Sequence, residues 1–264
     1  SLTAHGDVLL GAAYCGDAPL MVYRPAEPWV PGTGAADNPW LVHFEGESPA
    51  WRPMALVIGR DGKAYIGAVS GYGLLGGPLC AWDPATGQVE QYPHVITDQS
   101  VVSLAVLPGG RIVGGTTIAG GGGSRPTQTE AKVFLWDPAT HAVVRELVPV
   151  PGQGSVDALA VGPDGLVYGF AGDTLFVLDG ELEGVLSASE HRLGGMVYNA
   201  IGVGPGGRLY GVSSRGVFTI DTETKQARML AEYPEGISGG FAIRGSRVYF
   251  ISGPQIVSYE LPEE

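Results

Sequence analysis

The sequence predicts an all-β chain made of repeated four-stranded antiparallel sheets, and three observations carry that expectation. One pattern recurs along the chain: an apolar strand, a Pro/Gly/Asp turn, then a strand rich in Tyr and Val. Its clearest copy runs from Ser155 to Gly184. The turn glycines Gly6, Gly62, Gly110, Gly165, Gly207 and Gly245 recur 38 to 56 residues apart, which brackets the roughly 40–50 residues of a four-stranded propeller blade. The 43 Gly and 20 Pro among 264 residues exceed what helix interiors tolerate. The expected architecture is a single β-propeller over residues 1–264, with six blades visible and seven as the alternative.

The central copy sets the template. Val156 to Val161 is small and apolar, and Gly162-Pro163-Asp164-Gly165 turns the chain, because Pro presets φ and Gly accepts φ > 0. Leu166 to Phe170 is the second strand and Ala171-Gly172-Asp173 the next turn. Thr174 to Asp179 is the third strand, with Leu175, Val177 and Asp179 alternating against Thr174, Phe176 and Leu178. The first turn is repeated at Gly59-Arg60-Asp61-Gly62, Leu107-Pro108-Gly109-Gly110 and Gly204-Pro205-Gly206-Gly207.

In chain order, repeat one (about 1–48) holds strands in Asp7 to Tyr14 and Leu20 to Arg24, a Pro/Gly-rich insert from Pro25 to Pro39, and Trp40 to Phe44. Repeat two (about 49–94) brings Leu79 to Trp82 up to Asp83-Pro84-Ala85-Thr86-Gly87. Repeat three (about 95–152) does the same with Phe134-Leu135-Trp136 and Asp137-Pro138-Ala139-Thr140-His141. Repeat four (about 153–194) is the template. Repeat five (about 195–235) places Val217 to Ile220 before Asp221-Thr222-Glu223-Thr224-Lys225, and repeat six (about 236–264) shows three strands.

Trp82 and Trp136 share a position with Leu178 and Ile220. A position that accepts Trp, Leu and Ile is a packing position, not a ligand shelf. Asp83, Asp137, Asp179 and Asp221 follow it and should open turns by accepting the backbone N–H two residues on. Tyr65, Tyr168, Tyr210 and Tyr249 are likewise periodic and are expected in the core or between blades.

The pattern (A/V)-(V/I)-x-P-(D/G)-G-x-(L/V)-Y-G, followed by a strand ending W-D-P-A-T-G, resembles bacterial β-propellers of the NHL and YVTN kind. It is similar as well to the blades of streptogramin lyases and quinoprotein-type propellers. The resemblance covers nearly the whole chain and implies the architecture. It does not imply an activity, since such propellers host binding modules, hydrolases and lyases. The metal-dependent lactonase propellers need converging acidic and Asn ligands, for which Asp98, Asp157 and Asn199 are the candidates. Neither a metal nor a cofactor is expected.

A net charge of −12 argues against nucleic acid, whose phosphates need clustered Lys and Arg. No apolar run is long enough to span a bilayer, so membrane insertion is not expected. No signal peptide is visible and the chain opens on Ser1, which fits a mature or excised bacterial chain, extracellular or periplasmic, with room for further domains of a longer parent. Cys15 and Cys80 read as two buried thiols in preference to a disulfide.

Strand direction alternates within a blade. The turns after the first and third strands (A–B and C–D) therefore lie at one end of each sheet, and the loops after the second and fourth (B–C and D–A) at the other. The A–B turns are short and alike, and so are most C–D turns, the long insert of repeat one excepted, whereas the B–C and D–A loops vary, so the second end is the expected working face. Its polar and aromatic residues are Tyr14, Trp51, Arg52, Tyr72, Asp98, Gln99, Arg125, Glu130, Asp157, Tyr198, Asn199 and Arg215. Aromatic rings can stack on sugar C–H faces, and amides, carboxylates and guanidinium groups can read hydroxyls. The expected function is a module that binds a small molecule or glycan. The alternative is a lyase or hydrolase acting on a glycan or cyclic ester at the same loops. No H-E-x-x-H, no C-x-x-C and no nucleophile elbow is read. His94 and His191 are the candidate bases, and Gly120 to Gly123 lacks the Lys-Ser/Thr of a phosphate loop.

Overall fold

The computed structural model describes residues 1–12, 20–32, 34–44 and 52–262. Tyr14, Cys15 and Trp51 lie outside the described residues. The fold is all-β, and its strands run in sequence order through six antiparallel meander sheets, the blades of a propeller. Sheet one is β1 (Leu2–His5), β2 (Val8–Ala12), β3 (Leu20–Tyr23) and β4 (Trp40–Val42). Sheet two is β5 (Arg52–Ile58), β6 (Ala64–Val69), β7 (Leu79–Trp82) and β8 (Val89–Tyr92). Sheet three is β9 (Ser100–Val106), β10 (Ile112–Thr117), β11 (Val133–Asp137) and β12 (Ala142–Leu147). Sheet four is β13 (Ala158–Val161), β14 (Val167–Ala171), β15 (Thr174–Leu178) and β16 (Val185–Glu190). Sheet five is β17 (Met196–Val203), β18 (Leu209–Ser213), β19 (Gly216–Asp221) and β20 (Gln226–Glu232). Sheet six has the three expected strands, β21 (Gly239–Arg244), β22 (Arg247–Ser252) and β23 (Gln255–Glu260). Helix among the described residues is one 3-10 turn, Pro205–Gly207, in the A–B turn of sheet five. The strands are slightly shorter than the sequence implies: β13 starts at Ala158 and β15 ends at Leu178.

The chain forms two compact units, residues 1–102 with 118–128, and residues 103–117 with 129–264. In the first unit, sheets one and two share a core of Leu10, Leu20, Val22, Phe44, Leu56, Ile66, Cys80 and Trp82. In the second, a core joins each neighbouring pair from sheet three to sheet six.

Period-2 alternation explains how one strand serves two cores. In β14, Val167 and Ala171 pack toward sheet three while Tyr168 and Phe170 pack toward sheet five. The glycine after the tyrosine has a steric reason. Gly169 pairs with Phe176 across the strands, and a Cβ there would lie 2.2 Å from the Phe176 ring. Gly114 with Phe134 and Gly211 with Phe218 repeat the arrangement at 2.1 and 2.3 Å. The repeat therefore alternates a bulky residue with an absent side chain, as close packing requires.

The packing and turn expectations hold. Trp82, Trp136, Leu178 and Ile220 are all buried, as are Tyr65, Tyr168 and Tyr210. Tyr249 is half-buried. The backbone N–H two residues on donates to Asp83 at 2.8 Å, Asp137 at 2.9 Å, Asp179 at 2.7 Å and Asp221 at 2.8 Å. Cys80 is a buried free thiol, and burial pushes its pKa up to about 12.

Candidate functional site

The A–B ends of the sheets show what a fully satisfied polar cluster looks like in this fold. Asp164, in the turn between β13 and β14, accepts hydrogen bonds from the Leu166 N–H at 3.2 Å and the Tyr168 hydroxyl at 2.6 Å. Lys225, from the C–D turn of sheet five, donates to Asp164 Oδ2 and to the Tyr168 hydroxyl, both at 2.8 Å, and to the Thr222 carbonyl. Burial pushes the Asp164 carboxyl up, but the bonds from Lys225, Tyr168 and Leu166 outweigh it and hold the carboxyl below the usual range. Burial first, then the Asp164 bond, lifts Tyr168 to about 12. The first unit repeats the motif in part, with the Tyr65 hydroxyl donating to Asp61 at 2.7 Å.

The D–A ends in the second unit hold a cluster of different character. Ser155 Oγ donates to Asp157 Oδ1 at 2.5 Å. Ser and Asp two residues apart on extended chain share a side, and the segment is fixed by its backbone. Val156 N–H donates to the Thr116 carbonyl and Asp157 N–H to the Phe170 carbonyl, while Ser103 Oγ donates to the Val156 carbonyl. Asn199 N–H donates to the Asp157 carbonyl at 2.8 Å, which brings Tyr198 alongside. Asn199 sits at φ 54, and its Oδ1 accepts from Leu104 N–H at 3.3 Å.

Burial pushes the Asp157 carboxyl above its ordinary value, with the Ser155 bond opposing it. Burial and the Asp157 charge raise the Tyr198 phenol, and a hydrogen bond with Ser155 opposes them. Ser155, Asp157 and Tyr198 thus form one electrostatic unit. Tyr198 nevertheless keeps 46% of its surface exposed.

The D–A and B–C ends in the first unit are built from backbone. Residues 71–74, in the B–C loop of sheet two, are laced to 120–124. Gly73 N–H donates to the Gly122 carbonyl at 2.9 Å, and Gly121 N–H to the Leu74 carbonyl at 3.0 Å. The glycine run is a backbone zipper, and Tyr72 stands exposed above it. Asp98 accepts from the Thr127 hydroxyl at 2.6 Å. Arg125 is exposed, Gln99 is fully buried, and Arg52 is half-buried in β5, opposite Val69.

The remaining candidates lie in the second unit. Glu130 accepts from Gly152 N–H at 2.8 Å and so fastens one loop to another. Arg215 pairs with Glu232 and donates to the Arg192 carbonyl at 3.1 Å. The cluster therefore joins Asp157, Tyr198 and Asn199 of the predicted residues and adds Ser155. The S-x-D spacing was the signal for that serine.

Of the two candidate bases, His94 is exposed and His191 is not set up as an outward-facing base. His191 is buried, its Nε2 bonded to the Gly172 carbonyl and its Nδ1 accepting from Leu193 N–H. Burial lowers its pKa against the raising effects of Gly172, Asp173 and Glu190. His94 lies against Gly76, where a Cβ would sit 2.3 Å from Nδ1. Gly236 to Gly240 does carry the G-x-S-x-G spacing. It leads into strand β21 instead of a helix, and Ser238 Oγ donates to the Ile251 carbonyl, so it is not a nucleophile elbow. No group of three or more His, Cys, Asp or Glu arranged to hold a metal occurs among the described residues.

A depression of about 340 Å³ lies at the opposite, A–B/C–D end, lined in part by Leu107, Arg111, Gly165 and Glu181. Its two charged groups, Arg111 and Glu181, are engaged with each other at 2.7 Å. The Ser155–Asp157–Tyr198 cluster is the better candidate, because its carboxylate lacks such a partner.

No family model matches the sequence, and no curated protein matches it. Solved structures do. A catalytically inactive histidine-to-alanine variant of virginiamycin B lyase from Staphylococcus aureus, with quinupristin, is similar at a TM-score of 0.68 and 11% identity, over 97% of this chain and 78% of that one. A streptogramin B lyase is similar at 0.52 and 17% identity, over 80% of this chain and 69% of that one. The WD40 repeats of RRP9 are similar at 0.60 and 10% identity, over 83% and 62%. Likeness at such low identity shows the fold alone, a β-propeller with streptogramin B lyase-like structural neighbours.

Proposed function

We propose that this chain is a binding propeller that takes a small hydroxylated molecule or glycan at the D–A ends of sheets four and five. The observation that carries the reading is the convergence of Ser155, Asp157 and Tyr198. A half-buried carboxylate and a hydroxyl stand beside a partly exposed ring, all on backbone fixed by neighbouring strands. Such a site supplies a stacking face and polar groups to orient a ligand. Tyr72, on its glycine zipper, offers a second exposed ring in the first unit.

The test is a panel of neutral, acidic and amino sugars and short glycans, followed by NMR chemical-shift perturbation of the 15N-labelled chain. Saturable shifts at Ser155, Asp157 and Asn199, weakened in Tyr198→Ala and Asp157→Ala, are expected. A ligand whose affinity ignores both changes but falls on removing the Trp29 to Asn38 insert would overturn the assignment.

A second reading, lyase or hydrolase, has its own support. Burial pushes the Asp157 carboxyl above its ordinary value, the direction that suits a general acid or base, and virginiamycin B lyase is among the structural neighbours. Incubation with quinupristin, with products followed by mass spectrometry, decides it. Turnover lost in Asp157→Asn would favour this reading over simple binding, and unchanged quinupristin would count against a cyclic-ester lyase.

A further inference from the structure

We infer that the ligand of the Ser155–Asp157–Tyr198 site carries a cationic nitrogen, and that its class is a hydroxylated amine, an amino sugar in preference to a neutral or acidic one. The inference rests on the binding role proposed for this site and adds the charge of the ligand.

Three observations lead to it. Asp157 accepts one hydrogen bond through Oδ1, from a neutral hydroxyl, and no Lys or Arg among the described residues pairs with it. Asp164, in the same sheet, shows how the fold compensates a comparable carboxylate: a Tyr hydroxyl, a backbone N–H and the Lys225 ammonium converge on it. Asp157 has the Ser, and a Tyr nearby, but not the ammonium. A partly desolvated carboxylate without a cation is disfavoured, and an arriving ammonium removes that penalty while making charge-assisted hydrogen bonds.

Tyr198 supplies the second element. Its phenol is tied to Ser155, yet 46% of the residue remains exposed, which leaves ring surface for a cation. Asn199, beside it, has its Oδ1 engaged by Leu104 N–H, which leaves its amide N–H as the group that could donate to a ligand hydroxyl. The third observation is the whole-chain charge of −12, which raises the local concentration of cations and lowers that of anions.

The experiment compares glucosamine, glucose, N-acetylglucosamine and glucuronate at pH 7 by NMR titration of the full chain. Glucosamine is expected to bind at least about tenfold more tightly than the two neutral sugars, with glucuronate weakest. In Asp157→Asn the ratio should fall to about one, while weak binding of the neutral sugars persists. Circular dichroism and thermal melting of that variant establish that it is folded, and Tyr198→Leu, which keeps Asp157, should reduce the preference only in part. Methylammonium, tested alone, separates recognition of the cation from recognition of the sugar ring: weak shifts at Asp157 support the inference.

Equal affinity for glucosamine and glucose, with both dependent on Tyr198, would overturn the cationic assignment and leave the binding role standing. A glucosamine preference that survives Asp157→Asn would overturn it too. If none of the four sugars shifts Ser155, Asp157 or Asn199, the binding role at this site falls with it.

Discussion

Asp164 and Asp157 lie at opposite ends of β13, each beside a tyrosine, and they differ in almost every physical respect. Asp164 meets a buried tyrosine hydroxyl, a turn N–H and a lysine, so its charge is welcome in the folded state. Asp157 meets one serine and a partly exposed tyrosine, so its charge is resisted. The first arrangement knits the turn of one blade to the turn of the next, Lys225 reaching over from sheet five. The second leaves unused capacity at the end where loops vary. The difference teaches that Asp–Tyr proximity is not itself a functional signal. What matters is whether the cluster is electrically complete.

The largest expected effect separates the two tyrosines. Tyr168 is fully buried, and Tyr168→Ala should destabilise by about 3–5 kcal/mol, as aromatic core truncations do. Tyr198→Ala should change stability by less than about 1 kcal/mol. Urea denaturation of both variants measures this, and equal losses would mean that Tyr198 is a core residue.

Next come the carboxylates. Asp164→Asn removes the acceptor for Lys225 and Tyr168 and should destabilise by about 1–2 kcal/mol, the usual range for charged hydrogen bonds discounted for partial exposure. Asp157→Asn should shift the melting temperature the other way at neutral pH, because it removes a charge that the fold resists. Melting curves that move in the same direction for both would break the comparison.

The smallest effect is in pH dependence. Asp164 has a folded pKa below its unfolded one, so its contribution is present above the unfolded carboxylate range and is lost as pH falls through the folded value. Asp157 has a raised folded pKa, so its contribution is present below the unfolded value and is lost as pH rises through the folded one. Melting against pH should therefore show the wild type and Asp164→Asn converging in acid. The wild type and Asp157→Asn should instead diverge as pH rises past the raised carboxyl. Parallel curves for either pair would remove that carboxylate from the argument.

The repeat architecture was legible because it is written in short-range chemistry. Turn glycines, Asp at the head of each C–D turn and the Trp/Leu/Ile packing position all act within a few residues or at a fixed period. The cause of the glycine after Tyr168 was not legible, since Phe176 reaches Gly169 from another strand. Asp157, Tyr198 and Asn199 are candidates because they lie where the loops vary. Ser155 and the Asp164–Tyr168–Lys225 contact were not selected, although an Asp four residues before a Tyr occurs at both Asp61/Tyr65 and Asp164/Tyr168. Lys225 lies 61 positions from Asp164, and no local pattern announces a pairing at that distance. Arg215 and Glu130 looked like ligand groups in sequence, yet each is bonded within its own neighbourhood.

The glycine run at 120–123 has a consequence for how this region can change over generations. A methyl group at Gly120 would lie 2.2 Å from the Leu74 carbonyl oxygen, and at Gly121 1.8 Å from that of Gly71. Both obstacles are main chain and cannot swing aside. At Gly122 the nearest atoms belong to the exposed Tyr72 ring, which can rotate away, and at Gly123 the space is open but φ is +86. Four identical letters therefore carry unequal information. In a saturation library the first two should admit no other residue, the third should accept small ones, and the fourth should tolerate Asn or Asp best.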